Sequence, residues 1–274
     1  MRFRLSSLAG LTRLDLSTQL KATPRLGAAL ERLVSIGSRP LHGRVVVVRS
    51  GPAAGLRYRI GPVGTVWASG RMEPSVQRTL RAIIRPGNVF FDVGANVGFF
   101  TILGARLVGE SGSVVAFEPE PENLAALRDN VGLNAFSNVV VVASAVSSSS
   151  GAAHLHVPHR ATAHLLPIDR VDVTAPQVVT TSIDDFVTEH PQLEPDVVKI
   201  DVEGHEAEVI RGMRETLARL RPIVLCELHR TNLEVAAAFD EAGYRTTVLD
   251  GPGPVDASPW WAHVLAVPLS GNAA

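Results

Sequence analysis

Apolar residues are spaced differently in successive parts of the chain. In residues 1–40, leucines recur at helical spacing on either side of Pro24, which predicts two short amphipathic helices, here called the N-terminal arm. Residues 41–86 hold short β-branched runs separated by Gly-Pro pairs, which predict a small β-meander and then a helix starting at Glu73-Pro74. The predicted strands of the meander are 45–48, 56–60 and 65–68.

Strand and helix patterns alternate through residues 87–270. This alternation predicts an α/β, Rossmann-like domain, with a seven-stranded, mostly parallel sheet, helices on both faces and an antiparallel pair at one edge. The segment 144–182 interrupts the alternation, and we expect strands and an active-site loop there. The predicted strands are 89–93, 114–118, 139–143, 197–202, 223–228, 244–249 and 263–267, and the predicted helices are 97–108, 121–133, 205–219 and 233–242.

Charge is distributed unevenly along a chain that is nearly neutral as a whole. The 274 residues carry a formal net charge of -1, which gives the whole molecule no electrostatic reason to bind nucleic acid. The first 50 residues nevertheless hold nine basic and two acidic side chains. The N-terminal arm could therefore contact an anionic membrane or a lipid-linked substrate, although packing on the body or on a second subunit of a homo-oligomer is the simpler expectation.

Composition narrows the class of protein further. With 46% hydrophobic and 19% charged residues, the chain is typical of a globular domain. Its single cysteine, Cys226, excludes an intrachain disulfide and a zinc site built from several cysteines. Since no apolar run is long enough for a signal peptide or a membrane span, we expect a cytoplasmic protein.

The sharpest motif is the strand that runs through Asp92 into a glycine turn and directly into a helix. Gly94 and Gly98 permit close backbone approach to a ligand at the carboxyl end of the strand, where open parallel sheets bind ligands. A dinucleotide fingerprint has glycine where this chain has Asn96. An acid at position 92 suits a cationic ligand such as the ammonium of S-adenosylmethionine and repels a pyrophosphate.

The next strands add further candidate ligand contacts. Glu118 ends the second strand, where a carboxylate can accept hydrogen bonds from both hydroxyls of a ribose, and Pro119 helps to aim it. Ser144 and Ala145 follow the third strand, at the position of an adenine edge. An exposed acid at a helix start is the alternative explanation of Glu118.

Polar side chains also end the fourth and fifth strands of the predicted sheet. Lys199, Asp201 and Glu203 alternate along one strand end, and Glu227 and His229 share a face at the other. These groups are expected to meet at the switch point of the sheet. Such a set would be costly to bury without a function or mutual pairing.

Four motifs in order are similar to those of one enzyme family. The segments 92–98, 117–130, 180–185 and 199–206 resemble the successive motifs of the FkbM family of S-adenosylmethionine-dependent methyltransferases, a similarity that covers about residues 70–230. The resemblance implies a Rossmann-like fold, S-adenosylmethionine as methyl donor, and an oxygen of a sugar or polyketide as the usual acceptor. It also suggests that Glu73 approaches the cofactor. The simpler alternative is that Glu73 is only the N-cap of the following helix.

An O-methyltransferase needs a base close to the acceptor hydroxyl. His229 and Asp201 are the candidates, with Lys199 and Glu227 as their orienting partners, and the ordinary pKa of histidine favours His229. Mg²⁺ held by Asp201, Glu203, Glu227 or His229 is a less favoured alternative, because Lys199 already offers Asp201 a charge partner. Two further functions stay open: a nicotinamide-dependent oxidoreductase, and a non-catalytic partner subunit of the same fold.

Two other groups of residues attract attention without forming a known motif. A metal site is conceivable for the histidines of the 144–182 segment, but a polar hairpin or an acceptor-side loop is the simpler explanation. Trp260 and Trp261 could stack on a sugar ring or pack under the edge strand. The four histidines are His154, His156, His159 and His164.

Overall fold

The computed structural model describes residues 43–61, 65–156, 164–165 and 175–269. The predicted N-terminal arm and His159 lie outside these residues. The described strands are β1 Val45–Val47, β2 Arg57–Arg59, β3 Val89–Val93, β4 Ser113–Phe117, β5 Val139–Val142, β6 Ala145–Val146, β7 Gly151–His156, β8 His164–Leu165, β9 Gln177–Thr181, β10 Val197–Ile200, β11 Ile223–Glu227, β12 Tyr244–Val248 and β13 His263–Pro268.

Eight described helices accompany these strands. Within the described residues, none of them combines the length and the apolar character that a membrane span needs. The helices are α1 Thr65–Ser69, α2 Pro74–Ile83, α3 Phe99–Val108, α4 Pro121–Leu133, α5 Ile183–Glu189, α6 Glu206–Arg211, α7 Arg214–Arg219 and α8 Asn232–Glu241.

A seven-stranded sheet forms the centre of the fold, in the order β12-β13-β11-β10-β3-β4-β5. Every neighbouring pair is parallel except those that involve β13, which is antiparallel to both β11 and β12. The predicted α/β fold with an antiparallel pair at one edge is thus confirmed. The antiparallel strand is β13, which lies second from the edge, between β12 and β11.

Alternate residues of the central strands feed two apolar cores. Phe91 and Ile200 point to the face covered by α5, α6 and α8, whereas Phe90 and Val197 point to the face covered by α2 and α3. Burial on both faces explains why these strands are almost continuously apolar. The carboxyl ends of β3, β10 and β11 therefore lie side by side at one edge of the sheet, where ligands bind in such folds.

The structure corrects two predicted elements. The predicted strand 65–68 is helix α1, so the meander reduces to the hairpin β1–β2; the apolar side of α1 packs through Trp67 onto Phe99, with ring centroids 4.9 Å apart. The predicted helix 205–219 is two helices, because the chain bends at Gly212. A Cβ there would lie 2.1 Å from the backbone oxygen of Ser147, so this close approach requires glycine.

The segment after β5 folds as a second, smaller sheet, in the order β6-β9-β7-β8. The strands expected in residues 144–182 are present, and β6 brings Ala145 to the edge of the central sheet's ligand side. His156 and His164 occupy opposite positions in the β7–β8 pair. His154 Nδ1 lies 3.0 Å from the backbone oxygen of Ala175, which is an ordinary structural contact.

Candidate active site

The turn between β3 and α3 forms the floor of a cavity of about 330 Å³. Gly94 has φ 79°, and a Cβ on it would lie 1.9 Å from the backbone oxygen of Asp201, so only glycine allows the two loops to touch. Gly94 and Asn96 line the cavity. Gly98 instead packs against α4, where a Cβ would lie 2.4 Å from a methyl group of Leu127.

Glu118 stands at the end of β4 with its carboxylate held in place from two sides. It accepts hydrogen bonds from the backbone N–H groups of Asn96 at 2.8 Å and Glu120 at 2.9 Å. Burial raises the pKa of Glu118 to about 7, although these hydrogen bonds oppose the rise. Glu118 and Pro119 both line the cavity, as do Ser144 and Ala145 on the neighbouring wall.

Asp92 lies beneath the cavity and is absent from the residues that line it. The side chain is fully buried, accepts a hydrogen bond of 2.6 Å from the Thr101 hydroxyl, and lies 3.8 Å from Lys199 Nζ. Burial raises the pKa of Asp92, and the Lys199 charge opposes that rise. Asp92 thus faces a lysine of the protein where the sequence predicted the ammonium of a ligand.

Lys199 and Asp201 form a buried ion pair at the end of β10. The Nζ atom of Lys199 lies 3.1 Å from Asp201 Oδ2 and 4.9 Å from the centre of the Phe100 ring. Burial opposes the ammonium form, but the charges of Asp201 and Asp92 raise the pKa of Lys199 above its ordinary value. Burial likewise raises the pKa of Asp201, against the pull of Lys199. The predicted pairing of these two side chains is present.

His229, just beyond β11, is the centre of an acidic cluster. Its Nδ1 atom donates to the buried carboxylate of Glu206 at 2.8 Å. Its Nε2 atom lies 3.4 Å from Glu203 and 4.0 Å from both Asp201 and Glu227. The structure thus brings together the residues that the sequence predicted at the ends of the fourth and fifth strands.

The acidic surroundings change the protonation of His229. Burial lowers its pKa, but the hydrogen bond that His229 donates to Glu206 and the charges of the other carboxylates outweigh burial and raise the pKa to about 9. Burial raises the pKa of Glu203 to about 7. His229 therefore carries a proton at neutral pH.

A second cluster of carboxylates surrounds another histidine, His263. The sequence did not predict this cluster, which lies beside the one around His229. His263 begins β13 directly opposite Glu227 in the antiparallel pair. Its Nδ1 atom lies 2.8 Å from Asp250, and its Nε2 atom lies 3.3 Å from Glu227 and 3.8 Å from Glu73. Glu73 does occupy the N-cap position of α2, but it is in the left-handed region at φ 43° and its side chain makes no capping hydrogen bond.

Backbone strain is concentrated around the cavity. In the described part of the chain six non-glycine residues have positive φ, and three of them, Glu73, Asn96 and Glu203, line the cavity. A fourth, Arg230, directly follows His229 and lies over the Trp260 ring at 5.0 Å. Such conformations cost free energy and tend to persist at functional sites.

Other cavity residues escaped sequence analysis because their own elements gave no signal. Trp67 and Met72 reach the cavity from around α1, and His205 reaches it from the start of α6, with its Nε2 atom 2.9 Å from the Ser147 hydroxyl. Trp260 and Trp261 also line it; Trp261 is buried, but Trp260 is 39% exposed. The cavity therefore combines a polar end with an aromatic rim.

In the part of the chain that the structure describes, two groups of side chains converge closely enough to hold a metal ion. The predicted group of Asp201, Glu227 and His229 does not suit Mg²⁺, because that ion prefers oxygen ligands and Lys199 already pairs with Asp201. The second group is Glu73, Glu227 and His263.

Comparison with known proteins identifies the family. The sequence model of the "Methyltransferase FkbM domain" matches residues 92–246, more than half of the chain. The chain belongs to the FkbM methyltransferase family. It is an S-adenosylmethionine-dependent methyltransferase, which sets the nicotinamide alternative aside.

Several relatives and solved structures are similar to this family member. The chain is 29% identical over 205 residues to the hexuronic acid methyltransferase AglP of Haloferax volcanii, which covers 74% of this chain and 81% of AglP. It is 55% identical over 47 residues to the 31-O-demethyl-FK506 methyltransferase FkbM of Streptomyces tacrolimicus, which covers 17% and 18% of the two chains.

Among solved structures, the methyltransferase FkbM of Methylobacillus flagellatus matches with a TM-score of 0.46 at 17% identity, over 69% of this chain and 50% of that one. An O-methyltransferase of Thermotoga maritima matches with a TM-score of 0.48 at 15% identity, over 85% and 80% of the two chains.

Proposed function

We propose that this methyltransferase acts on a hydroxyl oxygen of a sugar, a glycoside or a polyketide-type small molecule. The observation that carries the proposal is the continuity of the cavity. One end is formed by the glycine turn and Glu118, and the other by the carboxylates around His229, with Trp260 at the rim. A donor at the first end would have its methyl group facing the second.

The donor end offers a place for each part of S-adenosylmethionine. Glu118 is positioned to accept hydrogen bonds from the ribose hydroxyls, and Ser144 and Ala145 form a wall for the adenine. Glu73 lines the same cavity, and we propose that its Oε1 atom attracts the ammonium group, while its Oε2 atom faces His263. When bound, S-adenosylmethionine supplies a methyl group that passes to the acceptor oxygen as the sulfur–carbon bond breaks, leaving S-adenosylhomocysteine.

At the acceptor end, we propose that Asp201 takes the proton of the attacking hydroxyl. The raised pKa of His229 argues that this histidine already holds a proton at neutral pH, so it is better suited to orient the acceptor than to act as base. Lys199 holds one oxygen of Asp201 and leaves the other toward His229. The pairing keeps the carboxylate fixed beside the acceptor oxygen, which favours in-line attack.

The shape and chemistry of the rim favour a sugar as acceptor. Carboxylates such as Glu203 and Glu227 suit the hydroxyls of a sugar, and the exposed face of Trp260 suits its ring. The relative AglP is named a hexuronic acid methyltransferase, which agrees with this class. We therefore place sugars and their glycosides first among the acceptors to test, and we include uronic acids because of AglP.

The test is methyl transfer from labelled S-adenosylmethionine to a panel of uronic acids, neutral sugars, glycosides and macrolides, with product identification by mass spectrometry. We expect an O-methylated sugar. Trp260→Ala should raise the KM for that sugar by about fivefold with little change in S-adenosylmethionine affinity, because a stacking contact contributes about 1 kcal/mol. Trp67→Phe, at the donor side, is the matched control.

Two results would contradict this function. Transfer to nitrogen or carbon in place of a hydroxyl oxygen would refute the O-methyltransferase assignment. Binding of S-adenosylmethionine without release of S-adenosylhomocysteine across the whole panel would favour the non-catalytic partner subunit.

The base is tested separately with Asp201→Asn and His229→Asn. Loss of a base lowers turnover by about 10² to 10⁴-fold. We expect that loss for Asp201→Asn without weaker donor binding. Equal, mild effects of both variants would remove both residues from the role.

A further inference from the structure

The side chain of His263 is held in the way that proteins hold metal-binding histidines. Its Nδ1 atom lies 2.8 Å from Asp250 Oδ2, and the same oxygen accepts a hydrogen bond of 2.7 Å from the backbone N–H of His263. A carboxylate on one ring nitrogen fixes the ring and directs the other nitrogen at a ligand. In His263 the ring nitrogen directed at a ligand is therefore Nε2.

Nε2 points into a pocket of carboxylate oxygens, but it makes no well-aligned hydrogen bond with any of them. The nearest oxygens are Glu227 Oε2 at 3.3 Å and Glu73 Oε2 at 3.8 Å, and all three residues are more than nine-tenths buried. Both Nε2 and Glu73 Oε2 are fully buried without a hydrogen-bond partner. Buried polar atoms without partners are rare, because each costs about 1 to 3 kcal/mol.

The spacing of these atoms suits a shared metal ion. Ligand atoms bound at about 2.1 Å around a tetrahedral ion lie about 3.4 Å from one another. The distance from Nε2 to Glu227 meets that value, and the distance to Glu73 exceeds it by a few tenths of an ångström. Small side-chain rotations would complete the geometry.

The excess of acidic side chains around the site also favours a bound cation. Ion pairs connect seven carboxyl groups with only three basic groups, so acidic side chains outnumber basic ones around the site. An added cation lowers the cost of burying them. The carboxylates are Glu73, Asp92, Asp201, Glu203, Glu206, Glu227 and Asp250, and the bases are Lys199, His229 and His263.

We propose that Glu73, Glu227 and His263 bind a divalent transition-metal cation. One imidazole and two carboxylates suit first-row ions such as Zn²⁺, Co²⁺ or Mn²⁺. Glu73 and Glu227 line the cavity, so the remaining coordination positions face it and accept water or an oxygen of the acceptor. The site goes beyond the proposed function, because it requires neither a particular acceptor nor a bound donor.

The competing explanation is a proton on Nε2. An imidazolium would bridge Asp250, Glu227 and Glu73 as a buried ion network with the same geometry. The two explanations differ in what the stripped protein does when a metal ion is added.

The experiment titrates chelator-treated, full-length protein with Co²⁺, in the absence of donor and acceptor, by calorimetry and visible absorption. We expect saturable, stoichiometric binding with the strong d–d absorption of a low-coordinate site, displacement by Zn²⁺, and release of protons. His263→Gln and Glu73→Gln should abolish the absorption. Asp250→Asn should weaken binding by about 10 to 100-fold, the usual effect of losing a carboxylate behind a ligating histidine.

His190→Gln is the matched control, because His190 is a partly buried histidine at the C-cap of α5, away from the site, and its ring contacts the backbone oxygen of Phe186. It should bind Co²⁺ like the wild type. If circular dichroism shows that His263→Gln does not fold, Glu73→Gln, which keeps the size of its side chain, decides the question.

Absence of Co²⁺ binding, or binding that His229→Gln abolishes and His263→Gln leaves intact, would overturn the proposal. Because no methyl transfer is measured, failure here leaves the proposed O-methylation standing, and failure of O-methylation leaves this site standing.

Discussion

The Nδ1 atom of His229 lies 2.8 Å from the buried carboxylate of Glu206. Glu206 also accepts a hydrogen bond of 2.7 Å from the Thr231 hydroxyl, so its position does not depend on the histidine alone. Glu206 is the first residue of α6, and the turn before that helix carries Glu203. One short segment therefore places a carboxylate at each ring nitrogen of His229.

Glu206→Gln should lower the pKa of His229 from about 9 by at least one unit, equivalent to about 1.4 kcal/mol. The replacement keeps the shape of the side chain and removes the charge that favours the imidazolium. NMR titration of the ring nitrogens gives the value. Glu208→Gln, on the same helix but paired with Arg211, is the control and should leave the pKa unchanged.

The pH dependence of stability follows from the same shift. Since folding raises the pKa of His229 from 6.5 to about 9, its contribution to stability is complete below 6.5 and is lost as the pH rises through about 9. Denaturant unfolding of the wild type and Glu206→Gln across this range should show a difference in stability that shrinks toward high pH. A difference that grows with pH would contradict the assignment.

Turnover should also fall as the pH rises through about 9, because the imidazolium of His229 orients the acceptor and stabilises the ionised Asp201. Initial rates at saturating donor and acceptor test this. A rate that instead increases through the same range would make neutral His229 the base. His229→Asn should abolish this fall in turnover at high pH, whereas His190→Asn should retain it.

Donor binding should strengthen as the pH rises through about 7, where Glu118 ionises. The ionised carboxylate accepts from both ribose hydroxyls, but the protonated form accepts less well. Calorimetry with S-adenosylhomocysteine, one unit below and one unit above this pKa, should show the increase. Glu118→Gln should weaken binding by about tenfold or more and remove the pH effect, and Glu122→Gln, on the exposed side of α4, should not.

Gly94→Ala should destabilise the fold by about 3 kcal/mol or more, because the new methyl group meets the Asp201 backbone and the positive φ is strained. Gly132→Ala is the control, since nothing lies within 4 Å of a Cβ at that position of α4. It should stabilise by up to about 1 kcal/mol. Thermal unfolding measures both, and equal stability of the two variants would refute the contact.

The strands of the large sheet were predictable because they are buried on both faces. β10 contains only buried residues, and three of its four are β-branched, so no helical pattern competes with the strand. The five-residue segment Thr65–Ser69 was not predictable, since three of its residues favour strands and the packing of Trp67 decides its conformation. Tertiary contacts override propensity most easily in such short segments.

The same reasoning separates the site residues that sequence analysis found from those it missed. Asp201 and Glu227 were found because polar residues at the ends of buried strands are conspicuous. His263 was missed because it begins its strand, and only the antiparallel pairing of β13 with β11 brings it opposite Glu227. Asp92 looked like a ligand contact because sequence position does not reveal that Lys199 lies above it.

The backbone contact between Gly94 and Asp201 has a practical consequence for protein engineering. Because the two loops touch through main-chain atoms, side-chain substitutions cannot widen one without disturbing the other. Redesign for a new acceptor should leave this junction intact. It should vary the surroundings of Trp260 and the β7–β9 region, where replacements do not change the backbone contact between Gly94 and Asp201.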